Sequence, residues 1–141
     1  MGINPWARRK SRRAVLQALY QWQLAGASVS DIKLQFRENG SLDKADLDFF
    51  DQSIQSVIEN IEKLSDVFVP FLDRGLDDLG AIERGALLAG TYELRDLDSI
   101  PFRVVINEWV ELTKDFGATE SYKYVNSILD AVSKRLRNDE Q

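Results

Sequence analysis

The sequence contains neither cysteine nor histidine among its 141 residues. Without them the chain has no thiol or imidazole nucleophile or base, no Ser-His-Asp triad, and no zinc finger, iron–sulfur cluster or disulfide. Enzyme chemistry would have to use carboxylate, lysine, tyrosine or hydroxyl groups. No apolar run reaches the roughly 20 residues that a membrane helix needs. The first residues also lack the pattern of a secretory signal, so we expect a cytoplasmic protein.

Proline is scarce as well: three prolines and eight glycines leave long uninterrupted stretches. Apolar residues in these stretches recur every three or four positions, which is typical of amphipathic helices. The length and the 44% hydrophobic content suit one compact domain over residues 1–141, with a frayed end at 137–141. We predict an all-α fold of seven helices, at about residues 7–25, 30–38, 44–62, 65–74, 79–95, 102–116 and 121–136.

Capping residues predict several of the helix ends. The apolar stripe over residues 47–64 indicates a single helix of about five turns that begins near residue 44, with Asp43 as its N-cap. Gly117 suits a left-handed stop for the sixth helix. Either Thr119 or Ser121 could then cap the seventh helix.

Charge is distributed unevenly along the chain. Residues 1–13 hold five basic groups and no acid, whereas the rest of the chain carries 13 basic and 23 acidic groups. A concentrated basic segment can bind phosphate even in an acidic protein, because it releases condensed counterions locally. The alternative is a solvated basic tail with no ligand. The basic residues of this N-terminal arm are Arg8, Arg9, Lys10, Arg12 and Arg13.

A helical wheel of the first helix separates an apolar side from a basic one. At about 100° per residue, Arg9, Arg13 and Tyr20 share the side opposite the apolar residues, with Arg12 at its edge. Guanidinium groups bind phosphate and an aromatic ring stacks on an unpaired base, so this face suits single-stranded nucleic acid. Leu16 lies on the Tyr20 side, however, and a neighbouring helix could cover Tyr20 as a core residue.

Two further sets of residues have the spacing found in some ligand sites. Gly80, Gly85 and Gly90 are five apart, but no Gly-Lys-Ser/Thr follows, so close packing of a second helix is favoured over a phosphate loop. Glu108 and Glu111 share a helical face as in some metal sites. Without histidine or further converging ligands, a surface pair is favoured over a metal site or a carboxylate enzyme, and we expect no metal.

Several stretches occur together in an order that carries a family resemblance. They are Arg8-Arg9-Lys10-Ser11-Arg12 with Leu16 to Trp22, Ile82-Glu83-Arg84 with Thr91 to Leu94, Ile100 to Glu108 with Val110-Glu111-Leu112, and Phe116-Gly117 with Ser121 to Asn126 and Leu129-Asp130. In this order they resemble the NusB family of bacterial antitermination factors, over about residues 8–134.

The resemblance implies a fold of two packed helical subdomains, three helices and then four. It implies no enzymatic activity and no cofactor. Members of the family bind a U-rich single-stranded RNA element, boxA, in nascent ribosomal RNA leaders. They do so with the small-subunit ribosomal protein NusE, and the complex joins other Nus factors on RNA polymerase. Ribosomal RNA transcription is thereby protected from premature termination.

Site residues are carried over position by position. The resemblance assigns RNA binding to Arg8, Arg9, Lys10, Arg12, Tyr20, Lys123 and Tyr124, and partner binding to Glu83. We add Arg13 of the arm to the predicted RNA-binding residues and Glu120 to the predicted partner-binding residues. Residues 42–98 hold 14 acidic against 5 basic groups, a surface charge that suits a basic ribosomal protein. We expect RNA and this partner to strengthen each other's binding. Trp109 replaces a small residue, so its indole is either exposed or has displaced a neighbour.

Of two rival interpretations, one is excluded by the sequence and the other remains open. Some ribosomal-RNA cytosine methyltransferases carry a NusB-like domain, but such an enzyme needs a catalytic cysteine, which this sequence lacks. A helical protein-interaction module, including a homodimer, would make the basic arm incidental. Loss of RNA binding on changing Arg8, Arg9 and Arg12 would separate the RNA-binding protein from such a module.

Overall fold

The computed structural model describes residues 3–141, and every regular element in that range is helical. The all-α prediction is therefore confirmed. The α-helices are α1 (Pro5–Ala25), α2 (Val29–Glu38), α3 (Leu47–Glu59), α4 (Ile61–Phe68), α5 (Ala81–Asp96), α6 (Phe102–Phe116) and α7 (Ser121–Leu136). Short 3-10 helices cover Val69–Phe71, Leu76–Asp78 and Asn138–Glu140. No helix in the described range is both long and apolar enough to cross a membrane.

The chain divides into two compact units between Glu59 and Asn60. The first unit contains α1, α2 and α3, and the second contains α4 to α7, as the resemblance implied. In the first unit α1 packs against α2 and α3. Its core consists of side chains with no exposed surface or almost none, and two rings stack with centroids 5.7 Å apart. These residues include Leu16, Leu19, Ile32, Ile54 and the stacked pair Phe36 and Phe50.

The second unit is organised around α5, which contacts α4, α6 and α7. Residues 85–94 of α5 are all buried, and this continuous burial explains why its apolar pattern is not confined to one stripe. A Cβ added to Gly90 would lie 2.9 Å from both methyl groups of Leu129 in α7. Close helix packing is therefore the role of this glycine, as predicted.

The predicted helix over residues 44–62 is wrong at both ends. Lys44 has a left-handed backbone with φ +60°, and Asp46, not Asp43, caps α3 by accepting a hydrogen bond from the Phe49 amide at 3.1 Å. Asn60 leaves helical geometry at φ −121° and ψ 27°, which separates α3 from α4. The apolar stripe continues across this break, so periodicity alone could not reveal it. The predicted fourth helix over residues 65–74 instead begins at Ile61 and ends at Phe68.

The link between α6 and α7 also differs from the prediction. Gly117 is extended, with φ −89° and ψ 174°, and is not left-handed. Glycine is needed there for another reason: a Cβ would lie 2.8 Å from the Thr113 carbonyl oxygen. The left-handed residue is Glu120, at φ 76°, and it precedes α7 in place of Thr119 or Ser121.

The C-terminal residues do not all fray as expected. Arg137 is 3% exposed, and its guanidinium donates hydrogen bonds to the carbonyl oxygens of Leu94 at 2.7 Å and Ile100 at 3.0 Å. It also bonds the Glu140 carboxylate at 2.6 Å. These contacts hold the end of the chain against the C-terminus of α5, whose last carbonyls need partners from outside the helix.

Trp109 is buried rather than exposed. Its side chain is 1% exposed, and its indole Nε1 donates a 2.8 Å hydrogen bond to the carboxylate of Glu93, itself 1% exposed. Of the two alternatives for Trp109, the exposed indole is therefore wrong. The larger side chain is accommodated because a buried carboxylate satisfies its only polar atom.

Candidate nucleic-acid interface

The basic N-terminal arm is helical from Pro5 onward. The Asn4 side chain accepts hydrogen bonds from the amides of Trp6 at 3.0 Å and Ala7 at 3.1 Å, which caps α1. Pro5 occupies the first helical position, where its missing N–H costs nothing. Residues 5–13 are therefore part of a capped helix and not an irregular tail, and residues 1–2 of the arm lie outside the described range. A helical arm fixes which basic side chains reach solvent.

The side of the arm that carries Arg8 and Arg12 packs against the rest of the first unit. Arg12 is 3% exposed, and the guanidinium groups of Arg8 and Arg12 lie over the Phe49 ring, 4.7 and 5.1 Å from its centroid. Arg8 also forms a 3.7 Å ion pair with Asp46. The prediction that Arg12 contacts RNA directly therefore needs correction, since its guanidinium is packed inside the unit and braces α1 against α3.

Ser11 strengthens the same attachment. Its hydroxyl donates to the Asp46 carbonyl oxygen at 2.7 Å and accepts from the Asp46 amide at 2.9 Å. Ser11 has no exposed surface. The segment before α3 is thus tied to the second turn of α1, which makes the basic arm a rigid part of the unit.

The other side of the arm faces solvent. Arg9, Lys10 and Arg13 are all exposed, and Tyr20 follows on the same helix face with 40% of its surface exposed. This exposure shows that Tyr20 is not a core residue, although Leu16 on the same side of α1 is completely buried. We call Arg9, Lys10, Arg13 and Tyr20 the basic face of α1. These are three cations and an aromatic ring on one rigid helix, a combination that can bind phosphates and stack a base.

A shallow pocket of about 250 Å³ lies beside the basic face. Lys10, Arg13 and Gln17 of α1 form one wall, and Ser41 and Asp43 of the segment before α3 form another. The pocket therefore combines two cations with the Ser41 hydroxyl, the Gln17 amide and the Asp43 carboxylate. Such a lining offers hydrogen-bond partners for a sugar or a base edge next to the phosphate-binding groups.

In the second unit, Tyr124 lies half-buried on α7. Its hydroxyl accepts a hydrogen bond from the Asp73 amide at 3.2 Å, and the Arg74 guanidinium lies 4.2 Å from the ring centroid. Partial burial raises the pKa of Tyr124, so the phenol stays protonated at neutral pH. The hydrogen bond from Arg74 lowers the pKa of the Asp73 carboxyl. Arg74 was not predicted, because it is 50 residues away from Tyr124 in sequence.

Three other predicted residues also lie in the second unit. Lys123 pairs with Glu120 at 2.6 Å, and both side chains are more than half exposed. Glu83 accepts a hydrogen bond from the Gly80 amide at 3.0 Å, which helps to begin α5. Glu83 therefore has a helix-capping function that the sequence analysis did not assign, and it is only partly exposed.

Trp6 is the residue of this surface that the sequence analysis missed. Its indole is 71% exposed, and the Arg9 guanidinium lies 5.2 Å from the ring centroid. The available signal was its position three residues before Arg9, which places both side chains on one helix face. Within residues 3–141 no group of three or more acidic side chains is arranged to hold a metal ion.

The fold and this surface define a class: an all-α protein that presents a cluster of cations and aromatic rings on its first helix. Comparison with known proteins identifies the family. A sequence profile of the NusB family matches residues 9–134. The transcription antitermination protein NusB of Alcanivorax borkumensis is 47% identical over 134 residues, which span 95% of this chain and 89% of that protein. The NusB protein of Paraburkholderia phymatum is 48% identical over 134 residues, which span 95% of this chain and 92% of that protein. The chain belongs to the NusB family.

Solved structures agree with this assignment. Thermotoga maritima NusB superposes with a TM-score of 0.83 at 29% identity, over 99% of this chain and 98% of that one. A NusB chain from a crystal structure of the antitermination factors NusB and NusE with double-stranded RNA gives a TM-score of 0.80 at 25% identity. That match covers 94% of this chain and 99% of the other.

Proposed function

We propose that this protein is a transcription antitermination factor that binds boxA-type single-stranded RNA together with a NusE-type ribosomal protein. In this proposal it supports ribosomal RNA transcription by RNA polymerase, alongside other Nus factors. The observation that carries the proposal is the basic face of α1, which is exposed, rigid and cationic in an otherwise acidic chain. A solved complex of the antitermination factors NusB and NusE with double-stranded RNA supports RNA and a NusE-type protein as ligands. The preference for a single strand rests on the exposed aromatic rings described below.

The RNA backbone binds to the cations of α1. Arg9, Lys10 and Arg13 point to solvent, and Arg8 retains 22% of its side-chain surface at the edge of the face. The first turn of α1 holds no acidic residue, so the helix dipole adds to the positive potential there. Four phosphate contacts would give a slope of log K against log salt of about −3, at about 0.7 per contact for a single strand. Binding by the protein alone is therefore modest and strongly salt-dependent.

Unpaired bases stack on aromatic rings. Tyr20 extends the basic face, and Tyr124 offers a second ring with Arg74 beside it. Lys123, exposed on the turn before Tyr124, supplies a further cation for a phosphate. Each stacked base contributes about 1–3 kcal/mol without strong sequence preference. Single-stranded RNA is preferred over a duplex because only unpaired bases present their faces.

The ribosomal-protein partner binds acidic residues, in this proposal Glu83 and Glu120. Ribosomal proteins are basic, and residues 42–98 provide complementary charge through their acidic groups, all of which except the buried Glu93 are at least partly exposed. Glu120 is well exposed, whereas Glu83 is partly committed to the α5 cap. If RNA and partner bind cooperatively, each must raise the affinity of the other by the same factor.

Fluorescence anisotropy with labelled RNA tests the proposal. The probes are a boxA-like single strand, a scrambled strand of equal composition and the same boxA-like strand paired with its complement. Each is titrated at two salt concentrations, with and without the NusE-type protein. We expect preferential binding to the boxA-like strand, strengthened by the partner. Equal weak binding to all three RNAs, unaffected by the partner, would leave a helical interaction module or homodimer with an incidental basic face.

A further inference from the structure

Trp6 is the most exposed of the large apolar side chains in the described part of the chain. It lies in the first turn of α1, with 71% of its surface in contact with solvent. Burying an indole normally stabilises a fold by removing a large apolar area from water. No core contact accounts for the largest side chain at this position, and the exposed indole is open to a ligand at the surface.

The neighbours of Trp6 define what it can bind. At about 100° per residue, Trp6 falls within an arc of about 100° that also holds the basic face of α1. Every residue in that arc is exposed. With a rise of about 1.5 Å per residue, Trp6 and Tyr20 are about 21 Å apart along the helix, and the three cations lie between them or beside Trp6. The α1 surface thus has an aromatic ring at each end of a row of positive charges.

We propose that Trp6 is a base-stacking residue that extends the RNA-binding surface to the N-terminal end of α1. Its ligand is an unpaired base of single-stranded RNA whose phosphates contact Arg9, Lys10 and Arg13. The inference rests on the proposed function and adds to it a second stacking ring on α1. Tyr20 and Trp6 then hold two bases of one strand, with the intervening phosphates bound between them.

The contact between Trp6 and Arg9 supports stacking. The guanidinium lies 5.2 Å from the indole centroid, a cation–π distance that restricts the orientation of the ring. A restricted ring loses less conformational entropy when a base stacks on it. Arg9 at the same time places its charge next to the ring, where the phosphate of a stacked nucleotide would lie.

Charge favours RNA over a protein partner at this position. The first 30 residues contain no aspartate or glutamate and include all five cations of the arm. A basic ribosomal protein would be repelled from this surface, because like charges facing each other across an interface oppose docking. An RNA phosphate backbone is attracted by the same field. The occupant that fits both the indole and the charge is therefore a nucleotide strand.

Three variants test the inference: Trp6→Leu, which keeps apolar area without a π face, Trp6→Phe, which keeps a ring, and Leu34→Ala as a control. Leu34 is 56% exposed on α2, outside the α1 surface. Labelled boxA-like RNA is titrated at several salt concentrations. We expect Trp6→Leu to weaken binding about 5- to 100-fold with an unchanged salt slope, since one stacked base contributes about 1–3 kcal/mol. Trp6→Phe should recover most of the loss, and Leu34→Ala should bind like the parent.

Intrinsic fluorescence gives an independent readout. Stacking on a base quenches indole emission, so the difference spectrum between the parent and Trp6→Leu should fall on adding unlabelled RNA. A Trp6→Leu protein that binds as tightly as the parent would overturn the role of Trp6 and leave the proposed function intact. A parent that fails to bind RNA would overturn both. Weaker binding of the NusE-type protein by Trp6→Leu in the absence of RNA would also overturn it, since the indole would then contact protein.

Discussion

Replacing Arg137 with alanine should lower the free energy of unfolding of the second unit by about 3–5 kcal/mol. The guanidinium is 3% exposed and donates four hydrogen bonds to backbone carbonyls at the end of α5 and in the following loop. Their lengths are 2.7 Å to Leu94, 3.0 Å to Ile100, 3.1 Å to Leu97 and 3.2 Å to Glu93. Alanine removes all four donors at once.

The size of this loss depends on whether the four backbone carbonyls find other hydrogen-bond donors. A hydrogen bond from a charged donor contributes about 1.5–3 kcal/mol, and a buried acceptor left without a partner costs a similar amount. Water that enters the vacated space satisfies some of the carbonyls, which keeps the expected loss below the roughly 6–12 kcal/mol to which four such bonds would sum. Arg137→Lys keeps the charge but presents its donors from one point, so we expect a smaller loss of about 1–3 kcal/mol.

Urea unfolding measures this loss. With a slope of about 2 kcal/mol per molar urea, a loss of about 4 kcal/mol moves the midpoint down by about 2 M. Emission from Trp109 reports on the second unit, because its buried indole bonds to Glu93. Arg135→Ala is the control: Arg135 is exposed on the same helix and makes one 3.3 Å bond to the Val67 carbonyl. If Arg137→Ala and Arg135→Ala unfolded at the same urea midpoint, the conclusion that Arg137 stabilises the C-terminal end of α5 would be refuted.

The contact between Arg137 and Glu140 should also make the free energy of unfolding depend on pH. Hydrogen bonds from Arg137 and from the Phe102 amide lower the pKa of Glu140 from its ordinary 4.5. Because the folded-state pKa is the lower one, the interaction stabilises the fold fully above 4.5 and is lost as pH falls through the lowered value. Glu140→Gln should therefore be less stable than the parent at neutral pH, and the difference between their free energies of unfolding should disappear in acid. A stability difference that stays constant with pH would contradict a contact that depends on the charge of Glu140.

Three further outcomes are expected. Replacing Arg9 and Arg13 together with alanine should weaken binding to all RNA sequences and reduce the salt slope by about 1.4, as measured by anisotropy titrations. Tyr124→Ala should weaken RNA binding about 5- to 100-fold with the slope nearly unchanged, and a variant that binds like the parent would remove this ring from the site. Gly117→Ala should cost about 1–3 kcal/mol in urea unfolding, because its Cβ would meet the Thr113 carbonyl oxygen at 2.8 Å; unchanged stability would show that the backbone can relax.

The helices could be predicted with most of their limits because helix formation depends on near neighbours. α2, α5, α6 and α7 begin and end within about two residues of the predicted positions. The failures occur where a local backbone change leaves the apolar spacing intact. Asn60 ends α3 without shifting the stripe into α4, and Glu120 takes a left-handed backbone that neither its side chain nor its neighbours signal.

The candidate interface could be predicted in part. The sequence alone places Arg9, Arg13 and Tyr20 on the face opposite the apolar side of α1, and the structure confirms that all three are exposed. The structure adds Lys10 to this exposed face. It could not show that Arg12 is enclosed. The Phe49 ring that covers it comes from another helix, and a wheel places Arg12 only at an edge.

What the sequence by itself determined is therefore whatever depends on spacing along one segment: the all-α class, the helix faces, the uneven charge and the family resemblance. Tertiary structure alone decided which charged and aromatic side chains are available to a ligand. It buried Arg12 and Arg137, placed Arg74 over Tyr124, and enclosed Trp109 with Glu93. The reason is physical: exposure and hydrogen-bond partnership depend on residues that are distant in sequence and meet only when helices pack.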